Sequence, residues 1–384
     1  VATQPAAAAV PPATGAWREG DPVGRRQFRD VGALRLERGG MLPSVRVAYE
    51  TWGVPERGDD GTIRNAVLVM HALTGDAHVC GRVEPGHPTP GWWDGLVGEG
   101  KLLDPARYWI VCPNVLGGCQ GTTGPASAGP GGAPWGSRWP RTTVRDQVAV
   151  ERRLADLLGV TRWHTVIGGS MGGMRALEWA VLAPERVQRL AVVASTAAAS
   201  ADQIGFSVSQ LAAIRADPGW AGGDYHDAPA GNGPHAGLGV ARRIAHLTYR
   251  SAGELETRFG RAGQDPVDPL DGGRWQVESY LDHHGEKLAH RFDAGSYVAL
   301  TEAMNGHDLG RGRGGVEAAL ATITARTVVV GIDSDRLYPL EQQHRLVTGI
   351  PGAAQLHVVN SPYGHDGFLI ESDALTDALS PLLD

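Results

Sequence analysis

The sequence predicts an α/β protein built on a mostly parallel sheet with helices on both faces. Short apolar runs recur along the chain, stretches with helical spacing alternate with them, and a glycine-rich loop follows one of the runs. Ser44 to Trp52 alternates as a half-buried strand, and Asn65 to His71 is a continuous buried run. Tyr108 to Pro113 is another, followed by glycine-rich sequence in which 124–136 reads as a surface loop. Thr143 to Leu158 has helical spacing, with Thr143 as cap and Asp146 in the first turn. A strand ending at Ile167, a tight turn, a helix from Gly173 to Leu182 and a strand over Val187 to Ala194 come next. Arg326 to Ile332 and Gln355 to Asn360 are the last two strands.

Between about Ala197 and Asn305 the pattern is polar and helix-like, with no clear buried strand and a Gly-, Pro- and His-rich loop over Ala221 to Gly239. It reads as a helical lid over the sheet. The expected organisation is a disordered Ala/Pro-rich leader over 1–20, a core from 21–196 and 306–384, and a lid over 197–305. The net charge of −7 excludes a general nucleic-acid binder, and no apolar run is long enough to span a membrane. Three cysteines without metal-like spacing point to reduced, structural thiols in a cytoplasmic setting.

The most informative stretch is Gly168-Gly169-Ser170-Met171-Gly172, directly behind His164-Thr165-Val166-Ile167. Small residues two before and two after a serine at a strand-to-helix turn permit the sharp bend of a nucleophile elbow. A serine hydroxyl needs an imidazole to take its proton, and the imidazole needs a carboxylate to hold its tautomer. In the α/β-hydrolase fold these follow in the order serine, acid, histidine, each on a loop after a strand. Asp335 lies just past the Arg326 to Ile332 strand, with Asp333 as its competitor, and His365 follows the last strand between two glycines. Asp335 is favoured because 335–339 resembles the acid loop of this fold. Oxyanion donors are expected from the backbone N–H groups of Met171 and Leu73. His71 reads as shaping the Leu73 loop. A metal reading of His71, Asp76 and His78 lacks a third ligand at matching spacing. The Gly310 to Gly315 segment lacks the Walker pattern.

Longer motifs narrow the reading. His71 to His78 (HALTGDAH), Gly91 to Asp94 (GWWD), Cys112 to Cys119 (CPNVLGGC), Thr143 to Asp146 (TVRD), Gly168 to Met174 (GGSMGGM), Ile244 to Ser251 (IAHLTYRS), Val277 to Leu281 (VESYL) and 333–339 together resemble the homoserine O-acetyltransferases, the MetX-type acyltransferases. The resemblance runs from roughly Phe28 to the C-terminus. It implies an α/β-hydrolase fold and ping-pong transfer of an acetyl group from acetyl-CoA to the γ-hydroxyl of L-homoserine for methionine biosynthesis. Acetyl-CoA would be a co-substrate, with no permanently bound cofactor and no metal. It also implies Arg242 for the substrate carboxylate, Asp366 for its ammonium, Tyr249 assisting, and a homodimer packed through the lid. Arg243 or Arg250 could instead supply the cation, and Asp366 could stabilise its loop. Competing functions are homoserine O-succinyl transfer or serine O-acyl transfer, a serine ester hydrolase, and a non-catalytic binding protein on the same fold.

Overall fold

The computed structural model describes residues 10–383. Strand β1 (Gln27–Asp30) precedes a small ribbon of β2 (Leu34–Arg35) and β3 (Met41–Leu42). The sheet continues through β4 (Arg46–Trp52), β5 (Ala66–Met70), β6 (Trp109–Pro113), β7 (Thr165–Gly169), β8 (Arg189–Val193), β9 (Arg326–Ile332) and β10 (Ala353–Val359). Its eight strands run in the order β1-β4-β6-β5-β7-β8-β9-β10. The pairs β1–β4 and β4–β6 are antiparallel and the rest are parallel.

The central strands are apolar throughout because both sheet faces are covered. Alternate residues feed two cores. Leu68, Val166 and Val192 pack on one face with Leu177 and Trp179, while Val67, Val69, Ile167 and Val193 pack on the other with Trp93, Phe368 and Leu379. Helices α1 (Val144–Leu158) and α2 (Met171–Leu182) cover the first face. Thr143 and Asp146 close a reciprocal capping box on α1, as the spacing predicts. Helix α2 begins two residues earlier than expected, immediately at Met171.

Six α-helices lie between β8 and β9, five of them in the insertion: α3 (Ala201–Ala216), α4 (His235–Tyr249), α5 (Ala252–Phe259), α6 (Gln276–Arg291) and α7 (Ala294–Asn305). Helix α4 packs on both α3 and α6. Leu211, Ile214, Leu238, Leu288 and Leu300 form an apolar cluster that reaches Leu73 and Met171 of the core. At the root of the insertion, Ala199 N–H donates to His307 O and Leu309 N–H to Ala197 O, so its two ends are bonded to each other. After it come α8 (Val316–Leu320), α9 (Leu340–Gly349), α10 (Gly367–Ile370) and α11 (Ser372–Leu383). No helix among the described residues is long and apolar enough to cross a membrane. All three cysteines are buried and unbridged.

Two sequence expectations need correction. The 221–239 loop ends earlier, because α4 starts at His235. Its glycine-rich first turn looks unfavourable locally, but Asp217, distant in sequence, accepts the Gly237 N–H at 2.7 Å and Leu238 is buried. The expected disordered leader also fails over 10–17, while residues 1–9 lie outside the described residues. Ala13, Thr14 and Ala16 are buried, Gly15 N–H donates to Phe292 O, and Trp17 N–H donates to Cys119 O. The anchor is Asp293 at the start of α7, which accepts from Thr14 Oγ1 at 2.8 Å and Tyr225 Oη at 2.6 Å and caps Ser296 N–H. Composition alone reads this segment as disordered because its partner lies far along the chain.

Burial pushes the Asp293 carboxyl up, but His226 and the hydroxyl donors more than reverse that and bring it down to about 2. A carboxylate held below its unfolded value contributes stability above about pH 4, and that contribution disappears as pH falls towards 2. Asp293→Asn is therefore expected to lower stability by about 1–3 kcal/mol at pH 7. In thermal unfolding, the gap between variant and wild type should narrow below about pH 4; a gap independent of pH would refute this.

Candidate active site

Ser170 stands between β7 and α2 with φ 57° and ψ −125°, a left-handed conformation rare for a residue with a side chain. Two glycines make it possible. A Cβ on Gly168 would lie 2.3 Å from the Gly172 carbonyl carbon, and one on Gly172 would lie 2.1 Å from Met70 O. The helix therefore begins almost on top of the strand ends, and the serine hydroxyl is thrown out of the sheet.

His365 comes from the turn Gly364–Asp366 after β10. Its Nε2 lies 2.9 Å from Ser170 Oγ and its Nδ1 lies 2.6 Å from Asp335 Oδ2. All three residues are buried. Asp335 Oδ1 accepts the N–H groups of Leu337 and Tyr338 at 2.8 and 2.9 Å, leaving Oδ2 to face the imidazole. Asp333 is engaged elsewhere, with its Oδ1 accepting the Ser361 N–H and so tying the end of β9 to the loop that carries His365. Tyr338 stacks on the imidazole with centroids 4.9 Å apart, and Phe368 and Tyr249 approach at 5.1 and 5.8 Å. These rings restrict the histidine to one orientation. Sequence reasoning did not single out Tyr338 or Phe368, although Tyr338 sits within the acid loop.

Among the described residues no backbone carbonyl takes the N–H of Leu73 or Met171, so both are free to donate. The Leu73 loop is held from below by His71, whose Nδ1 donates to Ala72 O at 2.8 Å and whose Nε2 accepts the Val115 N–H at 3.0 Å. Burial, with Arg175 nearby, pulls this imidazole down to about 3, so it stays neutral and keeps that tautomer. Arg175 also donates to His71 O and is paired with Glu151 in the core.

Helix α4 presents Arg242 and Tyr249, two turns apart, on the face that meets this site. Arg242 reaches Thr74 Oγ1 at 3.4 Å and lies over the Tyr249 ring at 5.5 Å. Arg243 points away, paired with Asp282. Arg250 is ion-paired instead with Asp366, Nε to Oδ2 at 3.1 Å, beside His365. Burial raises the Asp366 carboxyl, and Arg250 and Arg242 oppose the rise. An adjoining cavity is lined by Leu73, Met174, Phe206, Tyr249, Met304 and Tyr338.

Glu50, His78 and His87 are buried side chains of metal-ligand type brought within 4.8 Å of one another. One nitrogen of each imidazole is engaged, whereas His78 Nε2, His87 Nδ1 and Glu50 Oε1 are buried with no hydrogen-bond partner among the described residues. His78 Nδ1 donates to Glu50 at 3.0 Å, while His87 Nε2 accepts the Arg25 N–H at 3.0 Å. The imidazoles stack at 3.9 Å. The cluster acts as a strut between β4 and the far end of the Leu73 loop. Glu50 comes from β4 and both histidines from the connection between β5 and β6, so local spacing could not bring the glutamate into the group. In the Gly310 to Gly315 segment, Arg311 pairs with Glu37 and Arg313 with Glu178, which directs both cations to carboxylates of the chain itself.

The family described as the alpha/beta hydrolase fold matches residues 65–372. A homoserine O-acetyltransferase of Thermobifida fusca (strain YX) is 60% identical over 373 residues, covering 97% of each chain. That of Clavibacter michiganensis subsp. michiganensis is 58% identical, covering 97% of this chain and 96% of its own. Among solved structures, homoserine O-acetyltransferase from Bacillus anthracis is 25% identical with a TM-score of 0.84, covering 94% of this chain and 97% of its own. Esterase E22, at 24% identity, TM-score 0.83 and coverage of 94% and 99%, shares the fold. The chain thus belongs to the homoserine O-acetyltransferase family of the α/β hydrolase fold.

Proposed function

We propose that the protein transfers an acetyl group from acetyl-CoA to the γ-hydroxyl of L-homoserine through an acetyl-Ser170 intermediate. The observation that carries this is the hydrogen-bonded chain Ser170–His365–Asp335 ending beside a cation and an anion, Arg242 and Asp366. Simple ester hydrolysis does not require such a pair, whereas a zwitterionic amino-acid acceptor does.

His365 Nδ1–H donates to Asp335, which leaves Nε2 as the base for the Ser170 hydroxyl. Ser170 Oγ attacks the thioester carbonyl as its proton passes to Nε2, and the oxyanion forms against the N–H groups of Leu73 and Met171. Collapse breaks the C–S bond, and the proton on Nε2 leaves with the CoA thiol. Homoserine then enters with its carboxylate on Arg242, assisted by Tyr249, and its ammonium on Asp366. His365 takes the γ-hydroxyl proton, the new C–O bond forms through a second tetrahedral intermediate, and Ser170 recovers the proton as O-acetyl-L-homoserine departs. The product fits a place in methionine biosynthesis, in a cytoplasmic setting. Val240 and Leu247, two turns apart and exposed on α4, support a homodimer packed through the lid.

With acetyl-CoA and no acceptor, intact-protein mass spectrometry should detect an acetyl adduct that disappears in Ser170→Ala. That variant should lose about 10⁶-fold in kcat; retained transfer would overturn the covalent mechanism. Arg242→Ala should raise the homoserine KM about 10- to 100-fold while acetyl-enzyme forms at the normal rate. Steady-state rates with acetyl-CoA and succinyl-CoA, each with homoserine, serine or water, test the choice of substrates. Acetyl-CoA with homoserine should be fastest, and a preference for water would establish a hydrolase instead.

A further inference from the structure

The Leu73 N–H is joined to the lid by an unbroken series of hydrogen bonds. At the end of α6, Arg291 Nη2 donates to Thr74 O at 2.9 Å. The same peptide plane carries the Gly75 N–H, which donates to Ala72 O at 3.0 Å. The Ala72 carbonyl in turn shares its plane with the Leu73 N–H. In a trans peptide the C=O and N–H point in opposite directions, so fixing one aims the other. Two planes in series therefore run from the lid guanidinium to a candidate oxyanion donor, and each bond polarises the next.

We propose that Arg291 is a positioning residue for acyl transfer, aiming and polarising the Leu73 N–H through the Thr74–Gly75 and Ala72–Leu73 peptides. This rests on the reading above in which Leu73 N–H stabilises the oxyanion. Arg291 is suited to this role because its own backbone is held firmly. Its carbonyl accepts from Gln120 Nε2 at 3.0 Å, and the next residues, Phe292 and Asp293, are buried and bonded to the segment around Thr14 and Gly15. Arg242 differs in kind. It touches Thr74 only through the side-chain hydroxyl, at 3.4 Å, and can leave for a substrate carboxylate while the peptide series stays intact. His71 supplies the matching bond from the core side, so Ala72 O is gripped by His71 Nδ1 and Gly75 N–H together.

Because the two half-reactions share one oxyanion site, loss of the guanidinium should slow both. The test measures CoA release without acceptor and discharge of the acetyl-enzyme by homoserine, in rapid mixing, for wild type, Arg291→Met and Arg291→Lys. Arg291→Met should slow each step by about 100-fold, the scale expected of a small misplacement at a reacting centre. Arg291→Lys, which keeps a cationic donor, should recover part of the loss and also serves if the Met variant does not fold. Homoserine binding by calorimetry in a Ser170→Ala background should be unchanged by adding either Arg291 substitution. Normal rates for both steps, or a loss confined to homoserine binding, would overturn the positioning role. Failure of the acetyl-Ser170 mechanism, on which the oxyanion role of Leu73 depends, is separately visible, since Ser170→Ala alone would then remain active.

Discussion

The approach of the first turn of α2 to the end of β5 is the constraint from which the site follows. Gly172 leaves no room for a side chain against Met70 O, and Gly168 leaves none against Gly172. Only at that separation does the chain turn within one residue, forcing Ser170 to a positive φ and directing its hydroxyl towards the loops after β9 and β10. The same contact sets Met171 N–H opposite the loop that follows β5. The candidate nucleophile and candidate oxyanion donors are thus brought together by backbone packing, before any side chain of the site is considered.

Much of the core was legible because its signals are local. Continuous apolar runs mark strands covered on both faces, and small residues flank Ser170 where the turn demands them. The choice between Asp333 and Asp335 was harder, since each follows β9 and either could cap. The structure separates them by contact: Asp335 Oδ2 lies 2.6 Å from His365 Nδ1, whereas Asp333 Oδ1 accepts the Ser361 N–H. What escaped sequence reasoning depends on residues remote from one another. The packed 10–17 segment answers to Asp293, the start of α4 to Asp217, and the Glu50–His78–His87 strut to a strand and a later loop. Periodicity cannot register such partners.

Core and lid meet in an uneven manner. The core supplies the candidate reacting groups on short connections, while the lid supplies charged side chains that reach down from α4 and α6. Arg250 does not compete with Arg242 for one place; it pairs with Asp366, and in the proposed reaction Arg242 would take the acceptor's carboxylate and Asp366 its ammonium. In that proposal the division would separate an amino-acid site from the apolar crevice expected of an esterase built on the same sheet.

The paired hydrogen bonds at the root of the insertion have a wider consequence. Closing a long loop carries an entropy that grows only slowly with its length, and here the two ends are already joined before the helices beyond them are counted. To the sheet, more than a hundred residues between β8 and β9 are equivalent to a short connection pinned at its neck. Helices above that neck can be exchanged, lengthened or recharged without shifting the register of either strand. A design of this kind can therefore vary the lid's share of the cleft while the hydrogen-bonded chain Ser170–His365–Asp335 on the sheet below keeps its place.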